Sequence, residues 1–224
     1  MMDFEKVKEK TFEDAHKGNV DQVMKAVEEH LRLLKEVDVN NRLLLHWAAL
    51  GGHDRLVRYL LENGQPEDSR DDMQTTPLIL AASGGRIDTV KTLIEYGVNI
   101  NAKNEEGHSA LQYAASKGWT EIVRYLVSKG ADVDIADNRG ATPLHRCASK
   151  GNMSVLKILL DCDIHVNARD NYGNTPLHLA CEEGRVQEAG LLIKSGADIT
   201  LINKEKLTPF DLAPSDIQGI LRKI

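Results

Sequence analysis

The sequence is poor in aromatic residues, which make up 4% of its 224 positions, and it has only three cysteines, Cys147, Cys162 and Cys181. With so few rings, a core must be built from Leu, Ile, Val and Ala, which suits thin layers of paired helices. Three cysteines form neither an even disulfide framework nor a CxxC pair, so reduced thiols in the cytoplasm or nucleus are expected. No apolar run approaches the length of a membrane helix, and the opening Met1-Met2-Asp3-Phe4-Glu5-Lys6 lacks the apolar segment of a secretory signal. A basic surface is missing as well. The formal net charge is -6, which argues against a general nucleic-acid binder. There is no Gly-rich phosphate loop, nucleophile elbow or His/Cys zinc cluster. The composition therefore points to a monomer with no membrane segment, no cofactor, no metal and no catalytic constellation.

What the sequence has is a repeat. Thr175-Pro176-Leu177-His178 is preceded at a fixed step of 33 residues by Thr142-Pro143-Leu144-His145, Ser109-Ala110-Leu111-Gln112, Thr76-Pro77-Leu78-Ile79 and Leu43-Leu44-Leu45-His46, and followed by Thr208-Pro209-Phe210-Asp211. A threonine hydroxyl caps a helix, and proline fits its first position because the missing N–H has no partner there in any case. Each such helix ends near a glycine (Gly52, Gly85, Gly118, Gly151 or Gly184), and a second amphipathic helix follows, as in Leu56, Val57, Leu60 and Leu61. Five residues before each Thr position stands Asp38, Asp71, Asn104, Asp137, Asp170 or Asn203, residue types whose side chains bond nearby turn backbone. Gly107, Gly140 and Gly173 supply a positive φ two residues before the Thr position. Asn41, Gln74 and Lys206 stand there in the other repeats, so those hairpins are expected to be less regular.

The first 38 residues form an atypical opening pair of helices. One carries Phe4, Val7, Thr11, Phe12 and Ala15, and the other Val20, Val23, Met24, Val27 and Leu31. The chain closes on Ile217, Ile220 and Leu221. Turn, helix and helix at this period, opened by Thr-Pro-Leu-His, is the signature by which the chain is identified as a member of the ankyrin-repeat family. The resemblance implies an all-α solenoid of seven repeats with short β-hairpin loops and capping outer repeats. The expected boundaries are about 1–38, 39–71, 72–104, 105–137, 138–170, 171–203 and 204–224, in one domain. Each repeat buries its apolar face only against its neighbours.

His46, His145 and His178 recur at one helical position. Neighbouring repeats would hold them about 10 Å apart, whereas zinc–nitrogen bonds are about 2 Å. Each imidazole is instead expected to bond its Thr hydroxyl and a neighbouring backbone group. Function then falls to the positions left free, the hairpin tips and adjoining first-helix residues, which in such an array line a concave face. In order they include Arg42 and Trp47, Asp72, Glu105 and Glu106, Tyr113 and Lys117, Arg139, Arg146 and Lys150, then Tyr172 and Glu182. Charges interleaved with aromatics suit a protein partner. Leu179-Ala180-Cys181-Glu182-Glu183 spells LxCxE, a docking motif for retinoblastoma-type pocket proteins. Here it lies inside a first helix, so binding through Leu179, Cys181 and Glu183 would require that repeat to unfold.

Arg42 before Leu45-His46-Trp47-Ala48, Tyr113-Ala114-Ala115-Ser116-Lys117, His145-Arg146, the run from Gly173 to Glu183 and Asn203-Lys204-Glu205 resemble the gankyrin family of 26S proteasome assembly chaperones. The resemblance implies that the concave face cradles the C-terminal domain of a proteasomal base ATPase. Arg42 and Lys117 would pair with its carboxylates, and Asp71, Asp72, Glu105 and Glu106 with its basic residues. Leu43-Leu44, Met73-Gln74, Gln112 and Gly184 depart from that family's pattern. The alternative is a generic ankyrin adaptor for an unrelated partner such as a cell-cycle regulator.

Overall fold

The computed structural model describes residues 4–221. Met1, Met2 and Asp3 of the N-terminal stretch, and the side chain of Leu221 assigned above to the closing cap, lie outside the described residues. Among these residues every regular element is helical, apart from one isolated antiparallel bridge between Lys103 and Ser109. The chain packs as two compact units, Met1–Ala110 and Leu111–Ile224. In the first lie α1 (Phe4–Lys17), α2 (Val20–Glu29), a 3-10 turn (Leu31–Leu34), α3 (Leu44–Gly51), α4 (Asp54–Glu62), α5 (Pro77–Ser83) and α6 (Ile87–Glu95). The second comprises α7 (Ala110–Lys117), α8 (Thr120–Ser128), α9 (Pro143–Lys150), α10 (Met153–Leu160), α11 (Pro176–Glu182), α12 (Val186–Lys194), α13 (Pro209–Leu212) and α14 (Ser215–Leu221).

Within the first unit α1, α3 and α5 pack in a row, with α2, α4 and α6 forming the row behind them. Within the second, α9, α11 and α13 make the front row, and α8, α10 and α12 stand behind. The small side chains of the front helices, Ala48 and Ala49 or Ala148 and Ala180, are fully buried and let successive helices approach closely. Leu56, Leu60, Leu156 and Leu159 fill the space behind them, each worth about 2 kcal/mol in buried apolar surface. The expectation for Leu31 is corrected. α2 stops at Glu29, and Leu31 is 67% exposed, because the following 3-10 turn rotates Leu33 into the core instead.

Every hairpin is closed the same way. Asp38 Oδ1 accepts the N–H groups of Asn40 (2.8 Å) and Arg42 (2.9 Å), and Asp71 Oδ1 those of Met73 (3.0 Å) and Thr75 (2.8 Å). Asn104, Asp137, Asp170 and Asn203 repeat the arrangement on their own loops. The expected irregularity at Asn41, Gln74 and Lys206 does not occur. Their φ angles of 58°, 57° and 63° follow the positive sign of Gly107, Gly140 and Gly173, because the Asx oxygen on one side and the return strand on the other leave the chain no other course. The left-handed conformation costs a non-glycine residue about 1–2 kcal/mol.

Successive repeats are tied by buried side chains. In His145 and His178, Nδ1 accepts the N–H of Thr142 or Thr175 (3.1 Å each) and lies 2.9 Å from the same residue's hydroxyl. With Nδ1 accepting, the proton sits on Nε2, which donates to the next hairpin at Asn174 O (3.0 Å) or Leu207 O (3.2 Å). The hydroxyl expected beside each imidazole is absent at His46, where Leu43 holds the Thr position; His46 accepts from Leu43 N–H (3.0 Å) and reaches Ser69 O (3.2 Å). Gln112, the departure from the pattern, spans the same gap by donating to Ala141 O at 2.6 Å. Where the second helix begins, His53, Arg86, Asn152 and Arg185 reach back to the carbonyls of His16, Leu50, Ala115 and Ser149. Gly52 and Gly118 make room, since a Cβ there would lie 2.6 Å from Arg86 and 2.8 Å from Asn152.

Burial holds His46, His145 and His178 below the ordinary imidazole value of 6.5. A histidine neutral in the fold but free to protonate when unfolded leaves stability constant above about 6.5 and removes it as pH falls through the folded value. The thermal midpoint should therefore drop on acidification below that point. His145→Gln, which copies the Gln112 bridge without a titrating ring, should flatten the slope, and a thermal melt series at each pH checks it. Gln74→Gly should raise the unfolding free energy by about 0.5–1 kcal/mol, the αL strain relieved less the added chain entropy of glycine, read as a shifted denaturant midpoint.

Candidate binding surface

Six hairpin tips each carry a pair of exposed residues, and backbone bonds link tips within each unit. In the first unit Asp72 N–H donates to Asn40 O (3.0 Å) and Glu105 N–H to Met73 O (2.8 Å). In the second, Asn171 N–H donates to Arg139 O (2.8 Å) and Lys204 N–H to Tyr172 O (2.9 Å). These bonds fix the spacing of the tips, so the side chains project from a rigid edge rather than from mobile loops. The first unit's tips are acidic with apolar points. Asp72, Glu105 and Glu106 are exposed, Glu106 lies 3.1 Å from His108 Nδ1, and Met73 is 48% exposed. Val39, which the sequence reading passed over, is 94% exposed. Its place one residue after Asp38, matching Asp72 and Glu105, was the signal that could have found it.

In the second unit Lys117, Arg139, Lys150, Tyr172 and Glu182 are all exposed, while Tyr113 is half-buried. Tyr172 and Glu182 come together with Lys204 and Glu205 around a small cavity of about 120 Å³. This unit mixes both signs of charge, with Tyr172 as the exposed ring of its hairpin tips.

Four of the expected site residues are engaged in bonds within the fold, and one of them, Asp71, is buried. Asp71 is 1% exposed; besides its hairpin bonds, its Oδ2 receives Arg42 Nε at 2.9 Å. Burial pushes its pKa up, but the N–H of Thr75 and the Arg42 guanidinium outweigh this and hold it below the usual carboxylate value. Asp71 is therefore not available to a partner's basic residue, and Arg42 spends its Nε on an internal pair. Trp47 donates its indole N–H to Asp38 Oδ2 (2.9 Å) and is flanked by His16 (ring centroids 4.9 Å apart) and by the Arg42 guanidinium (5.1 Å). Arg146, at the same repeat position as Trp47, donates likewise to Asp137 Oδ2. Sequence reasoning missed this demand. A buried Asx carboxylate has a second oxygen, and the nearest long donor on the first helix, or the next hairpin's approach to Arg42, supplies its partner.

Leu179 and Cys181 lie within α11, and Glu183 caps it. Cys181 is fully buried, and burial pushes its thiol up to about 12. The LxCxE residues are thus in helical rather than extended geometry. Among the described residues no group of three or more His, Cys, Asp and Glu converges as a metal site, and no helix is long and apolar enough to cross a membrane.

A family model for ankyrin repeats matches three times, at residues 15–104, 97–170 and 138–203. The 26S proteasome non-ATPase regulatory subunit 10 of Rattus norvegicus is 42% identical over 63 residues, which cover 28% of this chain and 27% of that protein. The Homo sapiens protein of that name is 41% identical over 63 residues, covering 28% of each. The matched stretch thus spans little more than a quarter of the length of these curated relatives. Among solved structures, the human ASB11 ankyrin repeat domain is similar with a TM-score of 0.87 at 25% identity, over 95% of this chain and 96% of that one. The ankyrin repeat domain of Bcl-3, described as a unique member of the IkappaB protein family, gives 0.80 at 26% identity over 96% and 97%.

The neighbours Asp71 and Asp72 separate scaffold from surface. Asp71→Ala should cost about 3 kcal/mol, because it strips a nearly buried ion pair and two backbone donors of their acceptor. Asp72→Ala should stay within about 0.5 kcal/mol of the parent. Paired chemical-denaturation curves distinguish the two.

Proposed function

The chain belongs to the ankyrin-repeat family, and from that premise we propose that it is a non-enzymatic protein-binding scaffold that acts through its hairpin tips and the adjoining first-helix residues. The observation that carries this reading is the division of charge. Asp71 is buried, and Arg42, Trp47 and Arg146 each give a donor to a hairpin carboxylate, whereas Asp72, Glu105 and Glu106 in one unit and Arg139 in the other stay exposed on backbone-linked hairpin tips, with Lys117 and Lys150 exposed at the ends of α7 and α9. No step of the scaffold requires those side chains. Rim charges of this kind steer a partner of opposite charge and set its register, while Met73 and Tyr172 offer apolar anchors of the sort that dominate binding energy.

The finer reading is a gankyrin-like assembly chaperone for the C-terminal domain of a proteasomal base ATPase. The similarity over 63 residues to proteasome non-ATPase regulatory subunit 10 supports it. Of the two basic contacts that resemblance implies, Lys117 is exposed and Arg42 is held by Asp71, so the capture would rest on Lys117 with the acidic tips. A second reading, a generic adaptor for another protein, is favoured by the ASB11 and Bcl-3 domains, which match nearly the whole chain whereas the proteasomal protein matches 28% of it. Three cysteines without a disulfide fit a cytoplasmic or nuclear setting in either case.

Affinity capture from a cell extract with mass spectrometry tests both readings. The parent should retain a proteasomal base ATPase, and Asp72→Lys with Glu105→Lys, Glu106→Lys and Lys117→Glu should lose it by about tenfold or more without a change in melting temperature. An unrelated protein lost from the same variant would select the adaptor. Equal recovery on parent and variant would refute the hairpin surface altogether.

A further inference from the structure

The second-helix row carries a different pattern in the two units. In the first unit the seam between α4 and α6 is sealed by a polar lattice. Arg58 Nε donates to Asp54 Oδ2 (3.0 Å), its Nη2 donates to Thr92 Oγ1 (2.6 Å), and its Nη1 lies 3.6 Å from Glu95. Thr92 in turn donates to Asp54, and Lys91 pairs with Asp88 at 3.6 Å.

Three repeats later, between α10 and α12 of the second unit, the same positions hold other residues. Asp54 becomes Met153, Thr92 becomes Leu191, Glu95 becomes Lys194, Asp88 becomes Gln187 and Lys91 becomes Gly190, while Arg58 becomes Lys157. Each carboxylate of the lattice has gone, and one has been exchanged for an ammonium. An open trench of about 450 Å³ lies there, lined by Met153, Lys157, Val186, Gly190, Leu191 and Lys194 among others. Among the described residues neither Lys157 nor Lys194 is in an ion pair or hydrogen bond. Gly190 sits within α12, where glycine costs about 1 kcal/mol relative to alanine, and helix formation gives no reason for it. It lines the trench.

We propose that this trench is a second docking site, separate from the hairpin edge, for an acidic amphipathic helix of a partner protein. The apolar floor of Met153, Val186 and Leu191 accepts one or two large apolar side chains, as in other helix-in-groove complexes. Lys157 and Lys194 take carboxylates flanking that apolar stripe. Charge complementarity decides the occupant, because two unpaired ammonium groups beside an apolar floor repel a basic helix and leave a neutral one without ionic partners.

The test uses the full chain and a fluorescein-labelled 18-residue helical probe with Leu at i, i+3, i+4 and i+7 and Glu beside them (probe length is about five turns). A second probe has Lys in place of Glu. Fluorescence anisotropy should give saturable, salt-sensitive binding of the acidic probe only. Met153→Asp with Lys194→Glu, which transplants the sealed pattern of the first unit, should weaken it by about tenfold or more. Gly190→Leu keeps both lysines and fills the trench with a good helix former; it should weaken binding to the same degree with a melting midpoint no lower than the parent's. Equal binding of the two probes would overturn the site, as would affinity that survives both variants, or recruitment to phosphatidylserine vesicles in the absence of any peptide binding. The hairpin variants of the preceding section should leave acidic-probe binding unchanged, so failure of either surface can be read independently of the other.

Discussion

One oxygen per repeat organises this chain. The Asx side chain at Asp38, Asp71, Asn104, Asp137, Asp170 and Asn203 accepts two N–H groups of its own loop, while its backbone N–H donates across the same loop, as from Asp38 to Arg42 O (3.0 Å) and from Asp170 to Asn174 O (2.9 Å). Two charge-assisted or amide acceptor bonds reinforce the few backbone bonds that so short a loop can make. Even Gln74 and Lys206 are held in the left-handed region by it. Once the loop is fixed, its far carbonyl is presented to the imidazole or amide of the repeat before it, as Asn174 O is to His145 and Ala141 O to Gln112. Local turn chemistry thereby becomes the bond between modules.

The same economy explains which hairpin charges are withheld from recognition. A carboxylate that closes a hairpin with Oδ1 needs a donor for Oδ2, and Trp47, Arg42 and Arg146 answer that need from different places in the sequence. Burial raises the pKa of Asp71 and Asp137, and the donors more than reverse it, so both remain ionised and fully engaged. Residues one step further along the tip meet no such demand. Asp72, Glu105, Glu106, Arg139 and Tyr172 differ in charge and size from repeat to repeat at positions where the scaffold tolerates any side chain. That variation on an invariant frame is what a protein-binding array uses to be specific.

The second-helix row follows the opposite logic. There the frame demands only an apolar inner face, and the outer face can be closed by ions, as by Arg58, or left open, as around Gly190. The exchange of Asp54 and Glu95 for Met153 and Lys194 leaves the buried core untouched, since Val155, Leu156 and Leu159 are as fully enclosed as Leu56, Val57 and Leu60. Two surfaces with unlike chemistry can therefore be carried by one repeat without competing for the same residues.

The sequence by itself determined the repeat, the helix starts at the Thr-Pro pairs, the glycine stops and the structural use of His46, His145 and His178. The first three are set by residues within one period, whereas the histidines were read from their recurrence at one helical position, and their Nε2 bonds reach the next hairpin. Asp71 marks where that reading ends. Its period assigned it to a turn, its family resemblance to a partner, and only the approach of Arg42, 29 positions away, showed that no oxygen was left over. Trp47 and Arg146 each serve a hairpin carboxylate of their own repeat, a demand that spacing alone did not reveal, and the trench between α10 and α12 was invisible because Met153, Lys157 and Lys194 read as ordinary helix residues one at a time. Which side chains a fold consumes, and which it leaves to the solvent, is a property of distances between repeats. Those distances exist only once the modules have packed.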